Sequence, residues 1–328
     1  MRRLKALRLV LAAAGAALLL VPATLAATIG TLKQYRVPTA GSSPTHITQG
    51  SDGNFWFTES WVLPPQPAGL HNVGKITPAG RISEFPVCDF CFPSDIAQGP
   101  NDILYFTRNG EVLGRITTSG QVLSDVQMPA SFRGGSGITA RGDDIWFTDF
   151  NSDSIGRYTV STGTFTQYFI PTPDANPIDV VVGPDGIVWF TPSFLSFVGR
   201  LDPQSGVVTE IPTVGAPRNI TVSVDGSVWF TELLEDRIGR LEPTTNQVTE
   251  FQLAADVEPV DIAAAPDGSL WFTQSRAGNI ARITADGVVT AESRAIKNSQ
   301  PAGITVAPSG DPWFTEMAAN KIAVLELR

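Results

Sequence analysis

Residues 217–251 read Pro217-Arg-Asn-Ile-Thr-Val222, then Val224-Asp-Gly226, then Ser227-Val-Trp-Phe-Thr-Glu232. Arg237-Ile-Gly-Arg-Leu241 follows, and after a polar turn comes Val248-Thr-Glu-Phe251. β-Branched and aromatic residues fill four short runs, a composition that favours strands. Asp-Gly between the first two runs is a tight hairpin signal, because glycine tolerates the positive φ such turns need. The stretch therefore reads as four antiparallel strands, A to D, at 217–222, 227–232, 237–241 and 248–251.

The central phrase recurs along the chain. Its first residue falls at Trp56, Tyr105, Trp146, Trp189, Trp229, Trp271 and Trp313, with spacings of 49, 41, 43, 40, 42 and 42 residues. A period of roughly 40–45 residues is the length of one propeller blade. Seven copies predict an all-β, seven-bladed propeller of four-stranded blades. The last copy stops after its strand C, at Lys321-Ile-Ala-Val-Leu-Glu-Leu327. Its missing strand D is found at the other end of the chain, as Thr31-Leu-Lys-Gln-Tyr-Arg-Val37. The N-terminal strand should complete blade seven and close the ring, which hides the sheet edges. The tryptophans, one per strand B, read as core between blades.

Outside the repeat, residues 1–26 read as a signal peptide. Arg2, Arg3, Lys5 and Arg8 precede an apolar run from Leu9 to Leu20, and small residues follow at Ala23 and Ala26. That run is short for a membrane span. Residues 27–328 then form one exported propeller domain, secreted or periplasmic and expected to be monomeric, with no membrane attachment beyond the signal. The whole chain has a net charge of −9. Removing residues 1–26 takes away four basic residues and no acids, which leaves a still more acidic chain. Such a surface repels phosphate backbones and excludes nucleic acid as a natural partner. Cys88 and Cys91 are the only cysteines. In an exported chain, and without a thioredoxin-like βαβ context, they read as a local disulfide.

Centring each A–B hairpin on its turn pairs His46 with Glu59, Asp95 with Arg108, Asn219 with Glu232 and Asp261 with Gln274. This pairing predicts a ring of acids at one face near the central channel: Glu59, Asp95, Asp149, Asp179, Glu232, Asp261 and Glu316. Hard carboxylate oxygens suit Mg²⁺ or Ca²⁺, so Glu59, Glu232, Asp261 and Glu316 are candidate metal ligands. The alternative is that Asp95–Arg108, His46–Glu59 and backbone hydrogen bonds satisfy them. Asn219 is a candidate ligand contact on the same ring. Blade one carries about eight extra residues after Glu59, including Trp61 and a run of prolines before His71. A loop of this kind is a candidate lid or specificity element. Trp61 and His71 are its candidate ligand contacts, although His71 reads as exposed rather than catalytic.

Pro-x-x-Ile, Asp-Gly, Trp-Phe-Thr-Glu and Ile-Gly-Arg-Leu together resemble the virginiamycin B lyases (streptogramin lyases) and, more widely, the sugar-lactonase-type propellers. The resemblance covers nearly the whole chain after residue 26. It implies Mg²⁺-dependent elimination at the ester of a cyclic depsipeptide antibiotic, with two His and two Glu drawn from the last two repeats. Of those four, Glu316 is present. Ala302 stands at one His position, Val260 at the other and Gln300 at the second Glu. Elimination needs a base and an acid, and neither Ala nor Val can act as one. The remaining histidines, His46 and His71, lie in blade one, so His46 and Glu316 are the only catalytic candidates. The sequence therefore reads as an exported propeller that binds a small molecule, glycan or protein at an acidic face, with a divalent cation as candidate cofactor. The alternatives are a metal-dependent hydrolase or lactonase, and a carbon–oxygen lyase of the virginiamycin B type.

Overall fold

The computed structural model describes residues 17–20, 27–60, 70–109 and 111–327. It is a closed ring of seven antiparallel sheets. Blade five has strand A at Ile220–Val222, B at Val228–Glu232, C at Arg237–Glu242 and D at Gln247–Gln252. The other blades repeat this order. In blade seven, strands Pro301–Val306, Pro312–Glu316 and Lys321–Glu326 are followed in space by Thr31–Arg36. That strand runs antiparallel to strand C, with Thr31 opposite Glu326 and Arg36 opposite Lys321, and so closes the ring as the sequence predicted. Two short segments add parallel outer strands: Ala17–Leu20 on blade five and Ala27–Thr28 on blade six.

Each residue of the repeated phrases has a physical job. The Trp packs across the gap to the next blade: Trp189 joins Ile220, Val228 and Phe230 of blade five, and Trp313 joins Phe55 and Phe57 of blade one. Between blades seven and one, Trp313 and Phe55 stack with centroids 4.3 Å apart. The Arg of Ile-Gly-Arg lies over the Trp of its own blade, as Arg240 over Trp229 at 5.8 Å and Arg200 over Trp189 at 5.9 Å. Such cation–π contacts contribute about 0.5–1 kcal/mol at exposed sites. The Gly between them leaves room for the Phe of strand B. A Cβ on Gly199 would come 2.0 Å from the Phe190 ring. In blades six and seven Ala281 and Ala323 take this place, opposite Phe272 and Phe314.

The Thr of Trp-Phe-Thr links one blade to the next. Thr58, Thr231, Thr273 and Thr315 are fully buried. Their hydroxyls each donate at 2.8 Å to a strand A carbonyl of the following blade, at Ser94, Val260, Ala302 and Thr45 respectively. Thr107 and Thr191 make the same bond to Ser136 and Arg218. Most of these hydroxyls also accept from the strand A backbone of their own blade, as Thr273 does from the Asp261 N–H at 3.0 Å.

Candidate functional site

The D–A and B–C loops emerge at one end of the ring, beside the point where the A strands converge. The expected single ring of acids does not form there. Strand A is bulged in blades one, three, six and seven, so Pro44 lies opposite Glu59, Pro259 opposite Gln274 and Pro301 opposite Glu316. In unbulged blade four Asp179 lies opposite Thr191. Side chains alternate faces along a strand, so a one-residue change of register sends strand A and strand B acids in opposite directions. The result is two separate sets.

The inner set is Asp95, Asp179 and Asp261, on alternate blades at the channel. Each uses one oxygen to accept the N–H of the following residue and the other to accept an N–H of the next blade. Asp179 accepts from Val180 at 2.7 Å and from Ile220 at 2.9 Å. Asp95 and Asp261 reach Ile138 and Ile304 at 2.9 and 2.8 Å. Burial nevertheless pushes all three carboxyls up to about 7, against the pull of these bonds. Arg218 is their cationic neighbour: burial lowers its guanidinium, and Asp179 and Asp261 oppose that shift. His46 and Asn219 face the same small cavity, about 130 Å³, at the channel mouth. The His46 Nδ1 lies 2.8 Å from the Ser94 carbonyl, to which it must donate.

The outer set sits at the ends of the B strands, in closed sockets within the blades. Glu59 accepts from Asn72 at 3.2 Å and faces Glu84; burial, then Glu84, push it up to about 8. Glu232 accepts from the Gly215 N–H at 3.1 Å; burial, then Glu250 and Glu235, raise it to about 8. Glu316 accepts from Gln34 at 2.5 Å and is raised by burial. Arg108 occupies the corresponding position in blade two and pairs with Asp125 of its own blade rather than with Asp95. His46 likewise meets the Ser94 carbonyl, not Glu59.

The four expected metal ligands are therefore not brought together. Glu59, Glu232 and Glu316 lie in different blades, each turned into its own socket, and both oxygens of Asp261 hold backbone N–H groups. Among the described residues no three His, Cys, Asp or Glu side chains gather as a cation site. This donor set does not fit a shared Mg²⁺ or Ca²⁺, and no chemical step is derived through one.

Beside the channel, over blades one to three, lies a cleft of about 670 Å³. Among the described residues, His46, Arg108 and Arg133 line it with Phe92 and Phe150, and no acid does. Its charged side chains among the described residues are thus basic. Its wall at Phe92 is firmly held. Cys88 and Cys91 are disulfide-bonded, with Cα atoms 5.9 Å apart. The Phe92 N–H donates to the Nδ1 of His71 at 2.6 Å, and the two rings meet edge-on at 4.5 Å. His71 is buried, 3% exposed, and burial lowers its pKa. The expectation of an exposed His71 is therefore corrected: it is a neutral hydrogen-bond acceptor that holds the cleft wall. Trp61 lies outside the described residues.

The positions tied to the resemblance fall in blades six and seven, and Gly303, next to Ala302, packs against Thr45 and His46 of blade one. Val260 and Ala302 each give their carbonyl to a strand B threonine of the preceding blade, and Gln300 is exposed with φ 47°. The sequence profile of the Virginiamycin B lyase family matches residues 24–214 and 207–328. The chain belongs to this family. A virginiamycin B lyase of Nocardia farcinica (strain IFM 10152) is 31% identical over 147 residues, a stretch that covers 44% of this chain and 48% of that relative. A streptogramin B lyase structure superposes with TM-score 0.81 at 30% identity, covering 92% of this chain and 98% of that one. A catalytically inactive His-to-Ala variant of virginiamycin B lyase from Staphylococcus aureus, solved with quinupristin, gives TM-score 0.80 at 27% identity over 91% and 99% of the two chains. This member of the family keeps the propeller and Glu316. It has Val260 and Ala302 at the positions where the resemblance implies histidine.

Proposed function

We propose that this protein is an exported binding member of the virginiamycin B lyase family, which takes a small molecule in the cleft over blades one to three. The observation that carries the reading is the cleft itself. Its volume, about 670 Å³, lies within the range of small-molecule sites, which run from roughly 300 to 1,000 Å³. It combines aromatic walls with a few polar groups. In blades six and seven, Val260 and Ala302 supply no proton acceptor or donor for an elimination. The inactive His-to-Ala relative from Staphylococcus aureus is consistent with that loss. The basic and apolar character of residues 1–26 supports export.

The test has two arms. The chain from residue 27 is incubated with quinupristin and Mg²⁺ at stoichiometric enzyme, and linear product is sought by mass spectrometry. No product is expected, and product formation would restore the lyase reading. Saturation-transfer NMR with a small-molecule panel is then compared between the native chain and Asn109→Trp, which narrows the cleft from an exposed loop. Hits that disappear in the variant support the reading; a panel without such hits overturns it.

A further inference from the structure

We infer that the ligand of this cleft is an aromatic carboxylate. The inference rests on the binding reading above and specifies its chemistry. The first observation is charge. A chain of net charge −9 has placed two guanidiniums and an imidazole around one concavity that no acid lines among the described residues. A cation-lined cleft in an acidic protein is a local exception that selects anions.

The second observation is the state of those donors. Arg108 is tethered through one nitrogen to Asp125, which fixes its guanidinium, while its buried Nε has no partner. Arg133 is exposed, and among the described residues its side chain makes no hydrogen bond or ion pair. Only its backbone is tied, through its N–H to Asp149 at 3.0 Å and its carbonyl to Asn151 at 3.1 Å. One guanidinium is thus tethered, and the other is exposed, with Asp149 as its electrostatic neighbour. Planar guanidinium donors match the two oxygens of a carboxylate. His46 presents its second nitrogen, because Nδ1 is committed to the Ser94 carbonyl.

The third observation concerns the walls. Phe92 has φ 46°, a left-handed conformation costly for an aromatic residue, and it is retained under the restraint of the disulfide and His71. Phe150 opens the short 3-10 turn Phe150–Ser152 on the facing blade. A flat ring between phenylalanines, with its acid group toward Arg108 and Arg133, uses all of these groups at once.

Isothermal titration of the chain from residue 27 with benzoate, benzamide and inorganic phosphate tests this. Benzoate should bind about tenfold or more tightly than benzamide, as expected for loss of a charge-assisted pair. Arg133→Gln should abolish that preference by weakening benzoate far more than benzamide, with Arg133→Lys intermediate. Melting curves of the variants check that the exposed substitution leaves the fold intact. Equal binding of benzoate and benzamide, or an unaltered preference in Arg133→Gln, would overturn the inference. Phosphate binding as tight as benzoate would also overturn it. Benzamide binding that is lost in Asn109→Trp would keep the cleft as a binding site while removing the carboxylate, so the two failures are distinguishable.

Discussion

Thr315 Oγ1 donates to the carbonyl oxygen of Thr45 at 2.8 Å, across 270 positions of chain. The same bond, made by the equivalent threonine in other blades, joins neighbours along the ring. At this junction it adds to the pairing of Thr31–Arg36 with strand C, which ties the two ends of the chain together.

Thr315→Val keeps the shape and removes the hydroxyl, leaving the Thr45 carbonyl without its donor. The expected loss is about 1–3 kcal/mol, the cost of an unsatisfied buried polar group. Thr315→Ser should recover most of it. The midpoint and slope of urea unfolding measure both. A valine variant as stable as the native chain would show that strand pairing alone closes the ring.

The buried acids give an unusual pH dependence. Asp95, Asp179 and Asp261 are raised from 3.8 to about 7, and Glu59 and Glu232 from 4.5 to about 8. Between pH ~4 and ~8 the folded chain therefore holds more protons than the unfolded chain, and stability falls as pH rises through that window. Asp202, Asp225 and Asp267 are shifted down and titrate below it. Scanning calorimetry should give a higher melting temperature at pH 5.5 than at pH 8.5. A slope of the opposite sign would show that these carboxyls are ionised when folded.

Glu232→Gln isolates one contribution. Gln keeps an acceptor for the Gly215 N–H and stays neutral beside Glu250 and Glu235. At pH 8.5 the variant should melt a few degrees above the native chain, since about 1 kcal/mol moves the midpoint of a domain this large by roughly 2–4 °C. At pH 5.5 the two should nearly coincide. Equal effects at both pH values would point to packing instead of charge.

The Cys88–Cys91 bond closes a short loop, so its removal should cost about 2 kcal/mol or less of global stability. Its larger effect should fall on the cleft, because Phe92 follows directly. Reduction, or Cys88→Ser with Cys91→Ser, should weaken binding at the cleft more than it lowers the melting temperature. Titration and melting of the same sample read both, and the reverse ranking would mean that His71 alone holds Phe92.

The repeat was legible in the sequence because a blade is a local unit. Its period, its Asp-Gly turns and its β-branched and aromatic runs point to seven four-stranded sheets. The leftover strand at residues 31–37 could only belong to blade seven. The site was legible only in part. His46, Asp95, Asp179, Asn219 and Asp261 were placed correctly near the channel. Glu59, Glu232 and Glu316 were placed beside them by a pairing one residue out of register, to which the bulges of blades one and seven add. A one-residue difference in register decides which face a carboxylate takes, and counting residues across a hairpin does not reveal it. The roles of His71, Arg108 and Arg133 lay further from view. Their partners, Phe92, Asp125 and a cleft shared by three blades, come from separate repeats. The sequence by itself determined the ring, since each blade carries its own turns and core. The tertiary structure decided the chemistry of its face, since that face is built from loops that meet only when the ring closes.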